Sequence, residues 1–147
     1  MDVKEIVTTP GDRSAPLNVI GVGVTVLLSA EGKESPKITL QSGDEGAGPP
    51  PHSHPWSESF YVTKGQVLFT CSEQTVSCLP GSFVHVPAGT VHAFQFGPGG
   101  GEMLEVTTAD SQAVSMFEAL DRAIPPGPPD VAKVVEVAGH YDVSFRL

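Results

Sequence analysis

The chain has 147 residues, 39% of them hydrophobic, with 16 glycines, 14 prolines and a formal net charge of −9. That length suits one domain with a real core and is short for two. The acidity argues against nucleic acid or an anionic membrane as the main partner, since both need basic patches, and it serves solubility.

Residues 1–16 read as an irregular lead-in with at most one edge strand. The start, Met1-Asp-Val-Lys-Glu5, lacks the apolar run of a secretory leader. The longest apolar stretch, 19–28, is interrupted by glycine and too short to span a bilayer, so a cytoplasmic location is the default expectation. That stretch is strand-like, with Ile20, Val22, Val24, Val26 and Leu28 on one parity. Residues 31–36 form a turn, 37–41 a short strand and 42–51 a glycine- and proline-rich loop kept solvated by Asp44 and Glu45. Further strands are expected near 52–54, 58–63, 66–71, 75–79, 82–86, 92–96 and 103–107. Their spacing is that of an all-β sandwich or barrel. The glycine run 97–101 lacks the lysine and following helix of a phosphate loop and reads as a flexible hairpin turn.

After Thr108 the pattern changes period. Asp110 or Ser111 can cap a helix to about 124, with Val114, Phe117, Leu120 or Asp121, and Ile124 at three-to-four spacing. Pro125-Pro-Gly-Pro-Pro129 stops it and forms a stiff linker. Asp130 can cap a second helix whose apolar stripe is Val131, Val134, Val135 and Ala138, with Gly139 just past its end. Both helices are expected to pack on the β core, although the tail suits a dimer contact equally well. Residues 1–147 are thus expected to form a single domain, with a core over about 17–108 and helices over about 110–139. Cys71 and Cys78 lie in an expected hairpin turning at Glu73-Gln74, which sets Cys71 across from Val76 and Cys78 across from Phe69. A disulfide between diagonal positions is geometrically poor and unusual in the cytoplasm, so both read as small buried hydrophobes.

The chemistry lies in His52, His54, Glu58 and His92. Side chains two apart on a strand share a face, so His52, His54 and Glu58 can look into one interior. Three imidazoles and a carboxylate converging on a point make a divalent-metal site, and burying them without a metal would be costly. The glycines and proline around them complete two patterns. One runs Gly46, His52, His54, Glu58, Gly65, and the other Gly81, Pro87, Gly89, His92. Together these resemble the two signature motifs of the cupin superfamily, with Phe96 where the second motif ends in asparagine. The match spans residues 46–96, and its flanking strands extend it to about 20–108. The resemblance implies an all-β double-stranded β-helix, a small antiparallel barrel or jelly roll, here with a C-terminal helical tail. It also implies one divalent transition metal (iron, manganese, nickel, cobalt, copper or zinc) held by His52, His54, Glu58 and His92. Small single-domain cupins are commonly dimers, which makes a homodimer the expected assembly.

Parity places Phe60 and Val62 beside Glu58, and Phe94 and Phe96 beside His92, with Trp56 near the barrel mouth. Such a lining suits a flat, hydrophobic aromatic substrate. Glu58 is the candidate base. His85, two residues before Pro87, is a candidate proton relay, although a structural hydrogen-bonded role fits it better. Three functions are compatible with this set. One is a quercetinase-like dioxygenase that primes a substrate for oxygen attack. Another is a non-redox polyketide cyclase or isomerase in which the metal is a Lewis acid. The third is a small-molecule binder without turnover.

Overall fold

In a computed structural model, which describes residues 4–30 and 34–147, two long strands organise the molecule. They are β5 (Glu58–Cys71) and β8 (His92–Thr107), paired antiparallel along most of their length. The other strands are β1 (Leu17–Val19), β2 (Val22–Leu28), β3 (Lys37–Gly43), β4 (His52–Ser53), β6 (Gln74–Cys78), β7 (Phe83–Val86) and β9 (Ser144–Phe145). The first half of β8 lies beside β4 and the C-terminal half of β5, whereas its second half lies between β3 and the N-terminal half of β5. β2 and β1 extend the sheet beyond β3, β9 extends it beyond β4, and β6 and β7 pair with the two halves of β5. One curled antiparallel sheet therefore closes over a core, as expected of a double-stranded β-helix.

The curl is made at two register shifts in β5, between Val62 and Lys64 and between Gly65 and Val67. Here 97–101 is not a hairpin turn. It stays within β8, whose Phe96 and Gly101 pair with Val67 and Gly65 of β5, Gly101 also with Gly43 of β3, while 97–100 bulge at the corner. Gly65 has φ 65°, and a Cβ there would collide with the carbonyl oxygen of Gly100, so the two bent strands can approach only as bare backbone. The glycine run reads as a turn because its composition is that of a turn; long-range pairing overrides it.

Other differences are local. The strand expected over 19–28 is broken by a reversal at Ile20 and Gly21, with φ 52° and 84°, so Ile20 leaves the shared parity. Part of the turn expected over 31–36 lies outside the described residues. The β5–β6 hairpin turns at Ser72 and Glu73, one residue earlier than expected. Both take positive φ, 50° and 66°, without the Asn-Gly pair that normally marks such a turn. Cys71 then faces Gln74, and Cys78 faces Val67. Both thiols are free, Cys78 buried and Cys71 half-buried.

The helices are α1 (Ala113–Ala123) and α2 (Val131–Gly139). Ser111 Oγ accepts from the Ala113 N–H at 3.0 Å, and α1 buries Ala113, Val114, Phe117 and Leu120. Asp121 faces the sheet instead of solvent, and its Oδ1 accepts the Asn18 N–H at 2.7 Å, tying α1 to β1. Asp130 caps α2 by accepting from the Lys133 N–H at 3.2 Å. Gly139 is the last helical residue and not the reversal point, a task that falls to Asp142 at φ 65°. That reversal returns the chain to the sheet as β9, which pairs with β4, and the Arg146 N–H donates to Pro51 O at 2.8 Å. Two residues are too few to show as a strand in the sequence. The core inside the curl includes Val24, Val62, Val67, Phe96 and Met103, and each such side chain contributes about 1.5–3 kcal/mol by burial.

Candidate metal centre

Four side chains meet at one end of this core. β4 supplies His52, and the turn after it supplies His54. β5 begins with Glu58, and β8 begins with His92 directly opposite His52. All four are buried, between 1% and 9% exposed, and one ligand atom from each lies within 4.8 Å of the others. The His52 and His92 rings are 4.2 Å apart, and the His54 and His92 rings 5.0 Å apart.

The imidazoles are aimed by the backbone. Nδ1 of His52, His54 and His92 lies 2.9, 2.9 and 2.8 Å from the carbonyl oxygens of Pro50, Trp56 and Thr90. A carbonyl only accepts, so each Nδ1 carries its proton and each Nε2 is the atom turned toward the shared point. Glu58 Oε1 sits 2.6 Å from His92 Nε2 and 3.3 Å from His54 Nε2. Burial pushes the Glu58 carboxyl up, but hydrogen bonds from His54 and His92 and their charge outweigh it, so the carboxyl stays ionised below the usual range. For His92, burial works against protonation and the Glu58 hydrogen bond overcomes it, so its pKa rises. His52 drops to about 4, first through burial and then through the charge of His92. These are the electrostatics of a site that favours a cation. Once a cation displaces the Nε2 protons, three imidazoles held through Nδ1–H and one ionised oxygen fit a borderline divalent transition metal.

The cluster forms part of the wall of a mainly apolar cavity. Trp56, Phe60 and Phe94 line it, as expected, and the Trp56 indole stacks on His54 at 4.5 Å and 10°. Val62 and Phe96 have the right parity but do not line it. They lie deeper, at the edge of the bend of the sheet, where Val62 faces Met103 and Phe96 covers Gly43. Parity names a face of the sheet, not a depth along it. His85 is a clearer correction. The register sets Val86 opposite Glu58 and His85 opposite Ser59, so His85 is exposed on the outer face, its Nδ1 2.8 Å from Ser59 Oγ. It cannot relay protons to the cavity. Gln95 and His140 are exposed, as their positions in the sequence imply.

Several lining residues carry no motif. Met116, Phe117 and Leu120 of α1, with Val143 and Phe145 near the C-terminus, close the cavity from outside the barrel. Gln41 and Glu105 also line it. Glu105 is 3% exposed and accepts from Thr39 Oγ1 at 2.9 Å. Burial first, then the charge and hydrogen bond of Glu58, push its carboxyl well above the usual carboxylate range. Its signal in the sequence is a charged residue on the parity of Met103 and Thr107, the buried face of that strand.

Comparison with known proteins agrees with this geometry. Residues 39–107 match the family of the cupin domain. A 74-residue stretch is 31% identical to the quercetin 2,3-dioxygenase of Bacillus subtilis, covering 50% of this chain and 19% of that protein. The chain thus spans about a fifth of the length of that curated relative. Among solved structures, KdgF from a Halomonas species aligns with TM-score 0.66 and 14% identity, over 76% of this chain and 99% of that one. The polyketide cyclase RemF from Streptomyces resistomycificus aligns with TM-score 0.62 and 20% identity, over 73% and 81%. Residues 39–107 thus match a cupin domain on a cupin-like fold, and the cluster of histidines and a glutamate fits a metal site. No described helix is long and apolar enough to cross a membrane.

Proposed function

We propose that this protein is a mononuclear metal-dependent enzyme acting on a hydrophobic aromatic or polyphenolic small molecule, as a dioxygenase of the quercetinase type. One observation carries this reading. His52, His54 and Glu58 of the histidine–glutamate cluster line a mainly apolar cavity, so a ligand filling the cavity meets three of the four ligating groups directly. When bound there, a divalent transition metal supplies polarisation of a substrate oxygen and, if redox-active, a path for electrons.

The chain's own residues do the rest. Glu58, kept ionised, takes the proton of a substrate hydroxyl at a carboxylate oxygen. Trp56, Phe60 and Phe94 hold an aromatic ring against the cluster, and Phe117, Leu120 and Phe145 exclude water from the opposite side. The 31% identity with a quercetin dioxygenase over half the chain supports the substrate class.

Elemental analysis of the purified protein followed by an oxygen-electrode assay with quercetin tests this function. The expected result is substrate-dependent oxygen uptake that tracks metal content. Turnover of a phenolic or poly-ketone compound at the same rate under nitrogen would replace it with a metal-assisted cyclase or isomerase, in which Glu58 removes a proton beside a carbonyl. Tight binding with no turnover would leave a non-catalytic binder.

A further inference from the structure

The apolar cavity contains one polar seam. Thr39 and Gln41 on β3 and Glu105 on β8 share the inner face, with Thr39 paired directly across from Glu105. Thr39 is 0%, Gln41 3% and Glu105 3% exposed. Gln41 Nε2–H donates to Thr39 Oγ1 at 3.2 Å, Thr39 Oγ1–H donates to Glu105 Oε1 at 2.9 Å, and Glu105 lines the same cavity as Glu58. A line of polar groups therefore runs from the metal-ligand cluster to Gln41, flanked by Val22, Val24 and Phe60. A purely structural network would close on itself, yet Gln41 and Glu105 face the cavity and Gln41 commits one amide N–H to Thr39. An independent sign comes from Trp56. Its indole Nε1–H is buried with no hydrogen-bond partner in a side chain 3% exposed that lines the same cavity. Buried donors are almost always paired, so an orphan beside a ligand cavity marks a place for a ligand acceptor.

We propose that Gln41 and Glu105, with the unpaired indole N–H of Trp56, form the polar recognition edge of the cavity. They select an apolar ring ligand that carries oxygen at two places. One oxygen sits beside the metal-ligand cluster and accepts from Trp56, and a second exchanges hydrogen bonds with Gln41 and Glu105. The inference rests on the substrate class proposed above. A ligand with only one oxygen would leave either the indole N–H or the Gln41 amide unsatisfied, and the site discriminates against it for that reason.

Equilibrium dialysis with zinc-loaded protein, followed by ligand absorbance, tests this without turnover. The probes are quercetin, unsubstituted flavone and 1,8-dihydroxyanthraquinone. Gln41→Leu and Trp56→Phe are each expected to weaken quercetin binding about tenfold, the effect of losing one buried hydrogen bond, whereas flavone, which has a carbonyl but no hydroxyl, should stay within about twofold in Gln41→Leu. Glu105→Gln, which keeps shape and hydrogen-bonding capacity, is expected to weaken quercetin less than Gln41→Leu does. Circular dichroism melting identifies a variant that merely fails to fold, in which case Glu105→Leu carries the same tenfold expectation. If wild type and folded variants bind quercetin alike, the recognition edge is overturned while the proposed function stands. If the anthraquinone binds with the same dependence on Gln41 and quercetin does not, the edge stands and the quercetinase reading falls. If wild type binds none of the three, both fall.

Discussion

The cavity has two walls of different origin. One is the barrel wall, where His52, His54, Glu58 and His92 hold their positions through backbone carbonyls and strand register. The other is the roof, built by α1 and the C-terminal strand from Phe117, Leu120, Val143 and Phe145, which lies beyond the residues that match the cupin family. The barrel wall carries the ionisable groups, and the roof is apolar. Chemistry and enclosure are thus built by separate parts of the chain, and each can be broken without the other.

The largest expected effect is on the barrel wall. His92→Ala or His54→Ala should reduce metal content to less than about a tenth of wild type and abolish activity, while far-ultraviolet circular dichroism stays near native, since strand pairing and not the imidazole holds the backbone there. Equal metal in mutant and wild type would refute the assignment. Protons compete for the same Nε2 atoms, so retained metal should fall as pH is lowered from 7 to 5, and chelator should strip it faster at the lower pH; inductively coupled plasma analysis after dialysis reads both.

The roof should respond differently. Phe117→Ala removes an aromatic side chain only 8% exposed and should cost about 3–5 kcal/mol in a denaturant melt. It should weaken ring-ligand binding while metal content stays at the wild-type level. Loss of metal in this variant would show that the two walls are not independent. A smaller effect is expected at Asp130, whose carboxylate caps α2; Asp130→Ala should lower stability by about 1 kcal/mol with metal and ligand binding unchanged. The smallest belongs to His85. Because it lies on the outer face beside Ser59, His85→Ala should change activity less than twofold and stability by no more than about 0.5 kcal/mol.

The difference between the walls is also a difference in legibility. Three metal ligands sit within seven residues of one another, and strand alternation alone puts them on one side, so spacing was enough to identify them. His85 was ambiguous because parity cannot be counted across the turns that separate β5 from β7; only the pairing of Val86 with Glu58 settles its face. Val62 and Phe96 shared the right face but lie deeper, at the edge of the bend, which the sequence presents only as a glycine run. The roof carried no sign beyond an amphipathic helix, since an apolar stripe shows that a surface is buried but not what it covers.

What the amino-acid order determined by itself was local: the period-two strands, the histidines and glutamate spaced to share an interior, the capped helix after the proline linker. Tertiary structure decided everything that depends on partners distant in the chain. It set His92 against His52, joined pairs of predicted strands into the bent β5 and β8, turned His85 outward and laid α1 and β9 over the cavity. It also brought Glu105 to Glu58 and Thr39. The physical reason is that side-chain alternation is a property of a single strand, whereas register, depth and enclosure arise only when strands pair and the sheet curls.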